Sequence, residues 1–116
     1  HEKVKSVNYP GLKSNKYYEL AQKYMPNGTS GVMCFGLKGS REQAEAFMDS
    51  LQLIDIETHV ADAHSCLLHP ASHTHRQLSD EQLREAGVAP DLIRLSIGIE
   101  NVDDLIADLE QALAKI

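Results

Sequence analysis

The chain has 116 residues, 42% apolar and 24% charged, with a net charge of −6 and a pI near 5.4. That size carries one hydrophobic core, and the acidic balance argues against a nucleic-acid or anionic-membrane surface, which needs a basic footprint. Two cysteines are too few for a disulfide scaffold and point to a reducing, cytoplasmic setting, and no apolar run approaches the roughly 20 residues of a membrane helix.

The chain opens on His1-Glu2-Lys3, which reads as the approach to a strand and suggests a piece of a longer protein. Val4 to Tyr9 alternates weakly and stops at the turn pair Pro10-Gly11. Tyr17, Leu20, Ala21 and Tyr24 recur at helical spacing until Pro26-Asn27-Gly28. Gly31 to Leu37 is short and almost wholly apolar, as a strand covered on both faces is. Ser40 with Gln43 forms a capping box that starts a helix, and Ala44, Phe47, Met48 and Leu51 make its stripe. Leu53 to Val60, with Ile54 and Ile56 among polar neighbours, predicts a strand or extended segment, and Ser65 to Leu68 predicts another.

Ser79 with Gln82 repeats the capping box, and Gly87 closes that short helix. Leu92 to Ile99 alternates strictly: Ile93, Leu95, Ile97 and Ile99 point one way, Leu92, Arg94, Ser96 and Gly98 the other. Asn101 caps a last helix, with Asp103 and Asp104 suited to its N-terminal dipole. Its predicted stripe is Val102, Leu105, Ile106, Leu109, Leu113 and Ile116. The alternation predicts a two-layer α/β (α+β) domain, with helices packed on one face of a small, mostly antiparallel sheet.

Arg94 is the most informative residue. A strand-borne arginine flanked by small residues has room for a bidentate carboxylate or phosphate, and a sheet makes the grip rigid. The strand pattern alone equally accommodates a solvent-facing arginine or one paired with a nearby acid such as Asp91. The run His69-Pro70-Ala71-Ser72-His73-Thr74-His75 offers three histidines, but on no regular face and with no HExxH or paired CxxC. It fits an ordered, ligand-facing loop better than a metal site. Cys34 and Cys66 lie in apolar strands without a basic neighbour, the setting of inert thiols. Lys38 between Gly36 and Gly39 lacks the spacing of a phosphate loop. The carboxylates Glu42, Glu45, Asp80, Glu81, Glu85, Asp103, Asp104 and Asp108 fall on helix faces expected to be solvated.

VNYPGL at 7–12, GVMCFGLKG at 31–39, HPASHTH at 69–75 and LIRLSIGIENVDDLIADLEQAL at 92–113 form an ordered set spanning nearly the whole chain. It resembles the C-terminal domain of the pyridoxal-phosphate enzymes of cysteine and methionine metabolism, the cystathionine γ-synthase-like family of fold type I. FGLKG and GVAPDLIRLSIGIE look most similar to the O-acetylhomoserine sulfhydrylase branch. The resemblance implies that residues 1–116 are the small C-terminal domain of a longer enzyme, a homotetramer by family habit. It also implies a γ-replacement: with pyridoxal phosphate as electron sink, acetate leaves O-acetylhomoserine and sulfide or a thiol takes its place, giving homocysteine or methionine.

Within that resemblance Arg94 matches the arginine that pairs with the substrate α-carboxylate, and Thr74 matches a residue lining the same pocket. His59 stands where many relatives have the serine of a Ser-Leu-Gly segment; the run here, His59-Val60-Ala61-Asp62, departs from that pattern. None of the seven lysines lies in the family's Ser-x-x-Thr-Lys context, so the cofactor is expected on another domain and this chain alone is expected to be inactive. The competing expectation is a stand-alone small-ligand binding or regulatory domain whose Arg94 grips an anionic metabolite.

Overall fold

Local chemistry starts three of the four helices. In the computed structural model, which describes His1–Ile116, the Ser40 backbone amide donates to Gln43 Oε1 at 3.0 Å and Ser79 reciprocates with Gln82. Asn101 Oδ1 accepts the Asp103 amide at 2.8 Å. Each cap satisfies amide donors that a helix start leaves unpaired. The elements run β1 (Val4–Asn8), α1 (Tyr18–Tyr24), β2 (Val32–Leu37), α2 (Arg41–Asp49), β3 (Asp55–Ile56), β4 (Cys66–Leu68), α3 (Asp80–Glu85), β5 (Leu92–Ser96) and α4 (Val102–Leu113). Gly87 follows α3 at φ +76°, the left-handed position expected of a terminating glycine. No helix is long and apolar enough to cross a membrane.

The strands form one sheet in the order β1-β2-β5-β4-β3, antiparallel except for the β3–β4 pair. β5 is therefore central, with β2 on one side and β4 on the other. Alternation then divides the sheet into two faces. Phe35, Leu37, Leu67, Ile93 and Leu95 pack against Ala44, Phe47 and Met48 of α2 and Leu105, Ala112 and Leu113 of α4. Burying a side chain of this kind contributes about 1.5–3 kcal/mol. Phe47 meets Phe35 edge to face, with ring centroids 6.1 Å apart. The mostly antiparallel sheet with helices on one face is as the sequence predicts.

Three details differ. β3 is only two residues long, so Ile54 is buried while Ile56 is exposed. β5 ends at Ser96 and Ile99 is 86% exposed, because Gly98 brings the chain hard against the 63–64 backbone: a Cβ there would lie 2.2 Å from the Ala63 carbonyl oxygen. Val102 and Ile106 of α4 are also exposed, and the buried stripe is Leu105, Asp108, Ala112 and Leu113.

Asp108 corrects the expectation of a solvated carboxylate. It is buried, and its Oδ2 accepts the amides of Leu53 and Ile54 at 2.9 Å each. Its Oδ1 accepts the Gln52 amide at 2.8 Å and Gln111 Nε2 at 3.0 Å. Burial pushes its pKa up, but the three amides and Gln111 outweigh burial and hold the carboxyl below its ordinary range. α4 thereby fixes the segment that leads into β3.

Candidate substrate-carboxylate site

The face of the sheet away from α2 and α4 is built from the even-numbered residues of β5. Arg94 sits between Cys34 of β2 and Leu68 of β4, and Ser96 sits beside Cys66. The Cys34 thiol pKa is raised by burial, which the Arg94 charge opposes, and the Cys66 thiol is raised in the same way. Neither is an activated nucleophile.

A segment spanning residues 57–65 folds over this face and is tied to it at successive points. Arg94 Nη2 donates to the carbonyls of Thr58 at 2.9 Å and His59 at 3.2 Å. The Ala61 amide donates to Ser96 Oγ at 3.2 Å, and Ala61 occupies the left-handed region at φ 59°. Such a backbone costs about 1–2 kcal/mol for a residue with a Cβ, so the surrounding bonds hold it there. The Ile99 amide donates to the Ala63 carbonyl at 3.0 Å. The face that alternation leaves open in the sequence is thus partly roofed by its own chain.

Arg94 keeps unused donors beneath that roof. Its Nε is buried without a hydrogen-bond partner, and Nη1 makes no hydrogen bond within the chain. A buried unpaired donor costs about 1–3 kcal/mol, more when charged, a cost that no acceptor of this chain offsets at Nε. Asp91 does not fill that role, because it pairs with Lys5 at 2.7 Å. Thr58 and His59 also line a cleft of about 370 Å³ with Ile56, Glu57, Leu68 and His73, within the size range of small-ligand sites. The largest cleft, about 900 Å³, lies elsewhere, and among its charged walls Lys5 pairs with Asp91 and Arg41 with Asp80.

The three residues singled out from sequence are arranged unequally. His59 meets Arg94 through its backbone carbonyl, while its exposed imidazole lies 3.0 Å from Glu57 and 3.7 Å from Asp62. Thr74 is exposed, and its hydroxyl bonds His75 Nδ1 at 2.8 Å rather than Arg94. In the histidine-rich loop, fully buried His69 donates from Nε2 to the Pro90 carbonyl at 2.7 Å and meets Ser72 Oγ through Nδ1 at 2.9 Å. Both ring nitrogens are thus occupied, and burial lowers its pKa despite the Pro90 bond. With Nδ1 left as an acceptor, the single Ser72 hydroxyl proton is shared between it and Glu45 of α2, 2.5 Å away, so Glu45 anchors this loop and is not a purely solvated acid. The sequence pattern also missed Ser65, fully buried, which joins Glu100 and Gly98.

A strand-borne arginine with a buried unpaired donor thus stands beside a small cleft and opposite a helix-covered core. Matching over residues 1–114 assigns the chain to the Cys/Met metabolism PLP-dependent enzyme family, and it belongs to that family. It is 45% identical over its whole length to O-acetyl-L-homoserine sulfhydrylase of Leptospira meyeri, covering 26% of that protein. It is 46% identical to homocysteine synthase of Schizosaccharomyces pombe, over 97% of this chain and 26% of the relative. Among solved structures, an O-acetylhomoserine (thiol)-lyase of Campylobacter jejuni carrying pyridoxyl-lysine monophosphate superposes over 98% of this chain and 27% of its own. Its TM-score is 0.87 at 48% identity. The chain spans about a quarter of the length of these relatives.

The residues present do not fit the anchorage of the family's cofactor. Six of the seven lysines are exposed, and the seventh, Lys3, donates to the carbonyls of Leu113 and Ile116. None makes a hydrogen bond to the Arg94 cluster.

Proposed function

We propose that residues 1–116 are the small C-terminal domain of an O-acetylhomoserine sulfhydrylase, a transferase of methionine biosynthesis, and that Arg94 binds the substrate α-carboxylate. The single observation that carries this reading is the buried, unpaired Nε of Arg94 on the face opposite the core, in a chain of this family. Nε–H and Nη1 supply donors for an anion, while Nη2 is held by Thr58 and His59. Holding the carboxylate fixes the rotation of the amino acid about its Cα, a contribution to rate through orientation. In the longer enzyme, pyridoxal phosphate supplies the electron sink for replacing acetate by sulfide or a thiol. This chain supplies binding and orientation, and by itself is inactive.

Thr74 and the 57–65 segment, including His59, complete the wall of the pocket in this reading. The enzyme is cytoplasmic and homotetrameric. The relatives' names support the choice of O-acetylhomoserine, and the coverage of a quarter of their length supports a domain over a stand-alone regulatory module. The test is Arg94→Ala in the full-length enzyme. Loss of a charge-assisted grip is expected to lower kcat/KM for O-acetylhomoserine about a hundredfold or more. Unchanged kinetics would refute the assignment.

A further inference from the structure

The segment that holds Arg94 is itself held at its far end by a carboxylate outside the pocket. Glu100 Oε1 accepts the backbone amide of Ser65 at 2.6 Å, and Oε2 accepts the Ser65 hydroxyl at 2.8 Å. The same hydroxyl accepts the Gly98 amide at 2.8 Å. Every proton in this cluster has an acceptor, and the fully buried Ser65 can lose none of these bonds without an unpaired polar atom. Gly98 is needed for the approach, since a Cβ there would lie 2.7 Å from Glu100 Oε2 and 2.2 Å from the Ala63 carbonyl oxygen.

We infer that Glu100 is a positioning residue for the substrate-carboxylate site, fixing the 57–65 segment through Ser65 so that the Thr58 and His59 carbonyls set the orientation of Arg94. This rests on the reading of Arg94 given above. The connection is continuous: Glu100 to Ser65 at one end, Ser96 to Ala61 in the middle, and Arg94 Nη2 to Thr58 and His59 at the other. Cys66 Sγ adds a bond to the His59 carbonyl at 3.2 Å, beside Ser65 in the chain. Ala61, with its left-handed backbone, has no local preference that would keep this shape if the far tie were released. Arg94 would then keep its charge but lose the two carbonyls that aim its remaining donors.

The test is steady-state kinetics of the full-length enzyme carrying Glu100→Gln, Glu100→Ala, Arg94→Ala and the double substitution Glu100→Ala with Arg94→Ala. Glutamine retains one acceptor for the Ser65 amide but leaves the hydroxyl proton without one, so its effect is expected to be the smaller. KM for the amino-acid substrate is expected to rise about tenfold in Glu100→Ala and about threefold in Glu100→Gln, sizes set by the loss of charge-assisted bonds. The kcat value is expected to stay within about twofold, and KM for the nucleophile is expected to be unmoved. In the Arg94→Ala background Glu100→Ala is expected to add less than about twofold, because its effect passes through Arg94. Unchanged KM in both Glu100 variants beside a raised KM in Arg94→Ala overturns this inference and leaves the proposed function standing. A full-sized Glu100 effect in the Arg94→Ala background also overturns it. Unchanged kinetics in Arg94→Ala instead overturns the proposed function itself.

Discussion

Replacing Asp108 by asparagine keeps the shape of α4 and removes one acceptor oxygen from a buried site. The carboxylate receives four bonds, from the amides of Gln52, Leu53 and Ile54 and from Gln111 Nε2, at 2.8–3.0 Å. An asparagine oxygen turned toward Leu53 and Ile54 keeps two of them, now to a neutral acceptor. Its NH₂ then confronts the Gln52 amide and Gln111, donor against donor. Bonds to a charged acceptor contribute about 1.5–3 kcal/mol against about 0.5–1.5 for neutral ones, and a stranded buried donor costs about 1–3.

The sum is a destabilisation of about 3 kcal/mol, which for a domain of this size lowers Tm by about 10 °C or more. Urea denaturation followed by circular dichroism measures it, with Glu110→Gln on the exposed face of α4 as a control expected within about 0.5 kcal/mol. The pH dependence follows from the sign of the shift. The folded-state pKa of Asp108 lies below the unfolded value of about 3.9. Its contribution is therefore complete above the unfolded pKa and fades as pH falls through the folded pKa. The gap between wild type and Asp108→Asn should narrow below about pH 4. An Asp108→Asn protein within 0.5 kcal/mol of wild type at pH 7, or a gap that widens in acid, would refute the reasoning.

Gly98→Ala should cost about 2 kcal/mol or more, because the new Cβ meets backbone atoms of residues 63 and 64 that cannot swing aside; a fully stable variant in thermal unfolding would contradict this. Thiol labelling at neutral pH should be slow at both cysteines and slower at buried Cys66 than at half-buried Cys34. Fast, equal labelling of the two would show that the 57–65 roof opens freely.

Much of the architecture is legible from local rules. Ser40 with Gln43, Ser79 with Gln82, and Asn101 announce their helices because a cap is made within three residues of itself. Strand β5 is legible because alternation puts Ile93 and Leu95 on one side and Arg94 on the other, although the pattern runs on to Ile99, past the strand's end at Ser96. Long-range chemistry is not. Asp108 looks solvated when helical carboxylates are counted as a class, yet it lies three residues after Leu105 and four before Ala112, in the middle of the buried stripe. That position was the available signal. Glu45, Ser65 and Glu100 carry no such mark, since their partners are 27 or 35 residues away.

The candidate site divides along the same line. Arg94 stands out in the sequence as the one charged residue on a strand face it shares with Leu92, Ser96 and Gly98. The carbonyls of Thr58 and His59 that hold it are main-chain atoms, invisible to any reading of side-chain types. His59 is drawn to notice by its ring, yet it is its backbone that touches the arginine.

The central claim, that Arg94 receives an α-carboxylate, is tested most directly by comparing O-acetylhomoserine with its α-carboxamide in the full-length enzyme. The two differ in charge and in the second acceptor oxygen, which the carboxamide replaces with an NH₂ donor facing Arg94. Wild-type enzyme should favour the carboxylate about a hundredfold or more in kcat/KM, and Arg94→Ala should remove most of that preference. A preference that survives intact in Arg94→Ala would place the carboxylate elsewhere and contradict the account.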